Sequence, residues 1–265
     1  MKIYKITETA EYPGHRACRV TTAGCNFRCP LCTHHELLEE PDRQYFTAVD
    51  FYSFIEAVPG KYNGVVIDGG EPMLQQELPD FLRHLKGYYG LDIMVYTNGS
   101  NYKMLDELLC EGLVDRIVIS IKTGRSGYER HTGTKFDEEI LENLKKTAVF
   151  LTNSYINLPY EFTVTAAGGL YTNEDMAEIG EMIKGAKCFK IKNFNKKNNI
   201  LLKNSEFYKL SEIELSKFKE IVENLLIKWK SLDISGNSIN LALVVFNLVS
   251  DIKTISDIKT ASDIR

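Results

Sequence analysis

The chain has 265 residues, 44% of them hydrophobic and 26% charged, with a formal net charge of −4 and a pI near 5.8. These values fit one generous globular domain, or one domain with a tail. They speak against a role that rests on a general basic surface for nucleic acid or a membrane. The longest apolar run, 239–249, is too short to span a bilayer and is broken by Asn240 and Asn247. Residues 1–5 lack the apolar core of a signal peptide. The cysteine usage then points to a reduced, cytoplasmic protein rather than a disulfide framework.

Strand-like and helix-like segments alternate along the chain. Residues 16–22 read as a strand of small and β-branched residues that runs into a cysteine-rich loop. Residues 47–57 read as a helix with Phe51, Phe54 and Ile55 on one face, closed by Pro59-Gly60. Strands are expected at 65–67, 93–96, 117–121, 162–165 and 189–194, and helices at 77–88, 105–110, 137–150 and 173–183. Six such repeats favour a parallel sheet with helices outside, because parallel strands need crossovers. Beyond Phe194, residues 195–204 read as a Lys- and Asn-rich loop and 212–229 as an amphipathic helix. Residues 239–249 are apolar, and 250–265 form a low-complexity repeat, Ser-Asp-Ile-Lys-Thr recurring every six residues. The expected division is 1–200 as the α/β unit, 201–249 as an extension packed on it, and 250–265 as a tail.

The stretch Gly24-Cys25-Asn26-Phe27-Arg28-Cys29-Pro30-Leu31-Cys32 carries the chemistry. Three thiolates on one loop can hold three corners of an iron–sulfur cube and leave one iron open. Zinc is the rival, because Cys29 and Cys32 have zinc-knuckle spacing and His34 and His35 follow. A structural zinc site closes with a second ligand pair, and no second Cys-x-x-Cys occurs. Cys18, Cys110 and Cys188 are scattered and read as small reduced hydrophobes.

This Cys-x-x-x-Cys-x-x-Cys loop after a strand resembles the radical S-adenosylmethionine (SAM) superfamily. So do Gly69-Gly70-Glu71-Pro72, Thr97-Asn98-Gly99-Ser100 and Lys122 at the ends of later strands. Within it, the chain from about Lys2 to Phe194 is most similar to the glycyl-radical-enzyme activases, in particular those of anaerobic ribonucleotide reductases. It differs from them at Thr33, where they carry histidine, and at Tyr96 and Ser120, where they often carry aspartate. The resemblance implies a partial (β/α)6 barrel, with functional loops at the strand C-terminal ends where parallel barrels place their sites. It implies a [4Fe–4S] cluster on Cys25, Cys29 and Cys32, SAM on the fourth iron, and reductive cleavage of SAM to a 5′-deoxyadenosyl radical. It also implies a flavodoxin or ferredoxin-like electron donor and a glycyl-radical enzyme as partner.

Candidate SAM-contacting residues are Gly69, Gly70, Glu71, Thr97, Asn98, Ser120 and Lys122, with Thr163 and Lys192 added as strand-end residues. The two glycines allow close backbone approach to a ligand. Glu71 either accepts from the SAM ammonium or supports its own loop. Thr97 and Asn98 either touch SAM or form a turn leading to a helix cap at Ser100. Ser120 and Lys122 share one strand face, opposite Ile119 and Ile121. Lys122 is therefore expected to point inward, toward SAM or the reacting groups. Phe27 is expected to shield the cluster and Arg28 to be solvated. Two alternatives stand beside the activase: a radical SAM enzyme acting on a small molecule, nucleoside or peptide, and a zinc-binding or non-catalytic protein on the same fold.

Overall fold

The computed structural model describes residues 1–38, 44–153, 157–195, 200–202 and 206–230. The chain divides into one unit, Met1–Trp229, and a second, Lys230–Arg265; the architecture below is that of the first. The apolar run 239–249 and the repeat at 250–265 lie outside the described residues.

Seven strands form one sheet in sequence order, β1(Ile3–Thr9) β2(Ala17–Thr22) β3(Gly64–Gly69) β4(Asp92–Thr97) β5(Arg116–Ser120) β6(Tyr160–Ala166) β7(Phe189–Asn193). β1 runs antiparallel to β2, and every later pair is parallel. β7 does not pair with β1, so the sheet is an open, partial barrel of six parallel strands with one added edge strand. The helices are α1(Ala48–Glu56), α2(Leu78–Gly87), α3(Tyr102–Cys110), α4(Tyr128–Thr132), α5(Glu138–Asn153), α6(Asn173–Met182) and α7(Glu212–Lys230).

The main core lies between sheet and helices. Val20, Ile67, Val95, Ile119 and Phe162 project from alternate strand positions against Phe51, Leu82, Leu105 and Ile179. Each fully buried side chain of this size contributes about 1.5–3 kcal/mol. The other sheet face carries a smaller apolar layer of Ala17, Val66, Met94 and Val118, closed by Tyr12. Central parallel strands are covered on both sides, which is why Val65-Val66-Ile67 reads as an unbroken apolar run. Helix starts are set by capping. Thr47 and Asp50 form a capping box at α1, and Thr172 and Asp175 form one at α6. α7 buries Phe218 and Val222, and Leu225 packs against Gly180 of α6.

Strand β1 and helix α4 were not expected from the sequence. The helix cap placed at Ser100 belongs instead to Asn101, whose side chain accepts from the Met104 amide.

Candidate active site

The C-terminal ends of β2, β3, β4 and β5 bring the sequence motifs together through backbone contacts. The Gly70 amide donates to the Thr22 carbonyl at 3.1 Å and the Glu71 amide to the Gly24 carbonyl at 2.8 Å. A Cβ on Gly70 would lie 2.0 Å from the Gly24 carbonyl oxygen. Gly69 has φ +133°, and its Cβ would lie 2.2 Å from the Thr22 oxygen. The β3 turn is thus pressed against the backbone that leads into the cysteine loop. Gly70→Ala must push this contact apart. It is expected to cost about 1–3 kcal/mol, which is roughly 2–10 °C in Tm by thermal unfolding. Gly87→Ala, in open space at the end of α2, is the control and should change Tm little.

The loop itself is tied down on several sides. The Cys32 amide closes a turn onto the Cys29 carbonyl at 2.9 Å, and the Arg28 amide donates to the Thr132 carbonyl at 2.7 Å. The amides of Leu201 and Leu202 donate to the carbonyls of Cys32 and Pro30 at 3.0 and 3.2 Å. Contrary to the sequence expectation of a solvated side chain, Arg28 is held within the loop. Its guanidinium folds back onto the carbonyls of Cys25 and Phe27 at 2.7 and 2.9 Å. Phe27 is buried and meets Tyr128 edge-on at 6.3 Å.

All three loop thiols are half-buried and free. Burial pushes Cys25 up to about 12 and raises Cys29 and Cys32 as well; the Lys122 ammonium pulls all three the other way. The remaining cysteines are elsewhere: Cys18 in the main core, Cys110 exposed at the end of α3, Cys188 beside Glu161. His34 faces Glu36 at 3.7 Å. Among the described residues no group of three or more His, Cys, Asp or Glu is arranged to hold a single metal ion, whereas the thiolates of a cube each meet a different iron.

Glu71 is fully buried, and both its oxygens are engaged within the protein. Thr97 Oγ1 donates to Oε1 at 2.6 Å, the Met73 amide to Oε1 at 3.1 Å, and the Asn98 amide to Oε2 at 2.6 Å. Burial raises its carboxyl to about 6, against the pull of these donors and of Lys122. The carboxylate therefore fixes the end of β4 to the end of β3. Asn98 extends the link: its Nδ2 donates to Asn26 Oδ1 at 2.9 Å, and Asn26 Nδ2 donates to Ser100 Oγ at 2.9 Å. This side-chain chain joins the cysteine loop to β4. Neither Asn26 nor Ser100 was a sequence candidate, because only the fold brings them together.

Lys122 Nζ donates to Ser120 Oγ at 2.6 Å. Thr163 is buried at the level of Ser120 on the adjacent strand. Lys192 is exposed, 5.8 Å from the centre of the Tyr96 ring. That ring adjoins a polar group in which Arg19 pairs with Glu11 at 2.6 Å and Asp68 at 3.2 Å. Lys192 thus stands apart from Glu71 and Thr97, toward this second cluster.

The radical SAM superfamily model matches residues 20–183, which run from the second half of β2 through α6. The chain belongs to the radical SAM superfamily. A Methanocaldococcus jannaschii protein named for glycyl-radical enzyme activation is 26% identical over 232 residues, covering 83% of this chain and 92% of that protein. A Pyrococcus horikoshii protein named for GTP 3′,8-cyclase activity is 28% identical over 223 residues, covering 79% of this chain and 64% of that one. Among solved structures, TYW1 with a lysine–pyruvate adduct shares the fold. Its TM-score is 0.55 at 17% identity, covering 79% of this chain and 74% of TYW1.

Radical SAM proteins carry a [4Fe–4S] cluster and SAM. The donor set here suits that pair: three free thiols on one tethered loop, a lysine ammonium acting on all three, and glycine backbone packed directly behind. Cluster ligation requires thiolates, so loading the buried thiols releases protons. A three-thiol set leaves one iron of a cube without a protein ligand.

Proposed function

We propose that this radical SAM enzyme is an activase that installs a glycyl radical on an anaerobic ribonucleotide reductase or a related enzyme. The observation that carries the reading is the match to a protein named for glycyl-radical enzyme activation over 83% of this chain and 92% of that one. The relative named for GTP 3′,8-cyclase activity is matched over a smaller share of its length. That match favours a nucleotide substrate as the second reading.

In this reading Cys25, Cys29 and Cys32 hold the cluster. When bound, the cluster and SAM supply a 5′-deoxyadenosyl radical at the cost of one electron from a flavodoxin or ferredoxin-like donor. The chain's own groups bind and orient. Gly69 and Gly70 admit close backbone approach, and Glu71 holds Thr97 and Asn98 in place from behind. Lys122 supplies the positive charge that a carboxylate of SAM would meet, with Ser120 bracing it. Thr163, level with Ser120 on the next strand, remains a candidate SAM contact, and Lys192, beside Tyr96, a more remote one. Held by these residues, the cluster and SAM would supply abstraction of a hydrogen atom from a glycine Cα of the partner enzyme.

The test is anaerobic incubation of reconstituted, reduced protein with SAM and a glycyl-radical enzyme from the same genome. The activase reading expects an organic radical signal on the partner by electron paramagnetic resonance (EPR), together with 5′-deoxyadenosine. Loss of GTP in a parallel reaction, with no radical on the partner, would replace it with the nucleotide reading.

A further inference from the structure

A buried polar cluster lies behind Lys122 that neither the cysteine motif nor the glycine-rich turn includes. The Tyr171 hydroxyl donates to the backbone carbonyl of Lys122 at 2.7 Å. The Tyr171 ring stacks on His131, with centroids 4.1 Å apart and planes 14° from parallel. The His131 side chain has no solvent exposure. Its Nδ1 meets Thr123 Oγ1 at 3.1 Å, and its Nε2 meets the Leu170 carbonyl at 3.3 Å and Asp175 Oδ2 at 3.5 Å. Thr123 gives its own proton to the Gly124 carbonyl at 2.7 Å, so toward His131 it accepts. Both ring nitrogens therefore face acceptors, and the ring is anchored at both ends. Asp175 is buried. It caps α6 through Thr172 and takes two hydrogen bonds from Arg130 at 2.7 and 2.8 Å.

Two segments that leave the sheet are joined here. One follows β5 and carries Lys122, Thr123 and α4; the other follows β6 and carries Leu170, Tyr171 and the start of α6. The first of these also reaches the cysteine loop, through the Arg28 amide on Thr132 and the tight seat of Gly133. A Cβ on Gly133 would lie 2.1 Å from the Arg28 carbonyl oxygen. One side of this cluster thus fixes the backbone that bears Lys122, and another fixes the loop that bears the thiols.

We propose that Tyr171, seated by His131 and Asp175, is a positioning residue that holds Lys122 at the SAM site in register with the cysteine loop. A lysine side chain has many rotamers, and its ammonium is placed only as well as its Cα. Tying the Lys122 carbonyl to a rigid, stacked phenol removes backbone freedom at the position where ammonium placement matters. The proposal rests on the reading that Lys122 meets the SAM carboxylate.

Tyr171→Phe removes one oxygen and keeps the stack on His131. In anaerobically reconstituted protein it should retain its iron and sulfide content, and its Tm should fall by only about 2–6 °C. The dissociation constant for SAM, by equilibrium dialysis, should rise about five- to tenfold, the equivalent of one well-placed hydrogen bond. The change that SAM produces in the EPR spectrum of the reduced cluster should weaken in parallel. Thr123→Val, which loosens His131 while leaving the phenol, should shift both readouts the same way by less. Lys122→Met supplies the reference. If Tyr171 acts through Lys122, the double variant binds SAM no worse than Lys122→Met alone. Additive losses, or an unchanged affinity in Tyr171→Phe beside a weakened Lys122→Met, overturn the proposal and leave Lys122 in place. An unchanged Lys122→Met removes Lys122 from the SAM site, and the proposal with it.

Discussion

Alanine in place of Cys25, Cys29 or Cys32 is expected to abolish reductive cleavage of SAM and to bring iron from about four per chain to near zero. No other thiol can substitute. Cys18 is locked in the main core, Cys110 sits on α3, and Cys188 stands beside Glu161. The loop should keep its path without the cluster. Backbone hydrogen bonds to Thr132, Glu71 and Leu37 hold it, and none of these depends on a thiol. Apo forms of the variants and of the parent should therefore melt within about 2 °C of each other. Iron and sulfide analysis with product chromatography reads the first effect, and thermal unfolding the second. Cleavage retained in all three variants would contradict the cluster assignment.

Asp175→Ala is expected to lower stability by about 2–4 kcal/mol, from the lost capping-box hydrogen bonds and the lost charge-assisted bonds of a buried carboxylate. The carboxylate is buried and at once completes the α6 capping box with Thr172, pairs with the half-exposed Arg130 and faces His131. Burial alone would raise its pKa. Hydrogen bonds from His131 and Thr172 hold it below the usual carboxylate range instead. A carboxyl depressed in the folded state adds stability that is full above its unfolded pKa and is lost as pH falls toward the folded one. The gap between parent and variant in urea unfolding should thus be constant near neutrality and narrow as pH drops below about 5. A gap that widens on acidification would mean that Asp175 is not held as an anion.

The barrel was legible in the sequence because its parallel strands are short β-branched runs and its helices show one apolar face. The expected strand at 117–121 and the observed Arg116–Ser120 differ by one residue at each end. β1 was missed because Ile3-Tyr4-Lys5-Ile6-Thr7-Glu8-Thr9 is an edge strand, half polar, whose alternation is weak beside its charges. α4 was missed because five residues, Tyr-Glu-Arg-His-Thr, are too short to show helical periodicity. The cysteine spacing singled out the candidate cluster loop, because residues that share one loop leave a local pattern. His131, Tyr171 and Asp175 left none, since they meet only when the segments after β5 and β6 pack together. For Glu71 the residue type marked the turn, but its hydrogen bonds to Thr97 and Asn98 depend on strand register.

The most direct measurement is anaerobic. The chain is reconstituted with iron and sulfide, reduced with dithionite and given SAM, and 5′-deoxyadenosine is quantified against Cys29→Ala. The account predicts a product that depends on Cys29 and on reductant. A protein that takes up a reducible cluster yet forms no 5′-deoxyadenosine, alone, with a glycyl-radical enzyme or with GTP, would contradict it.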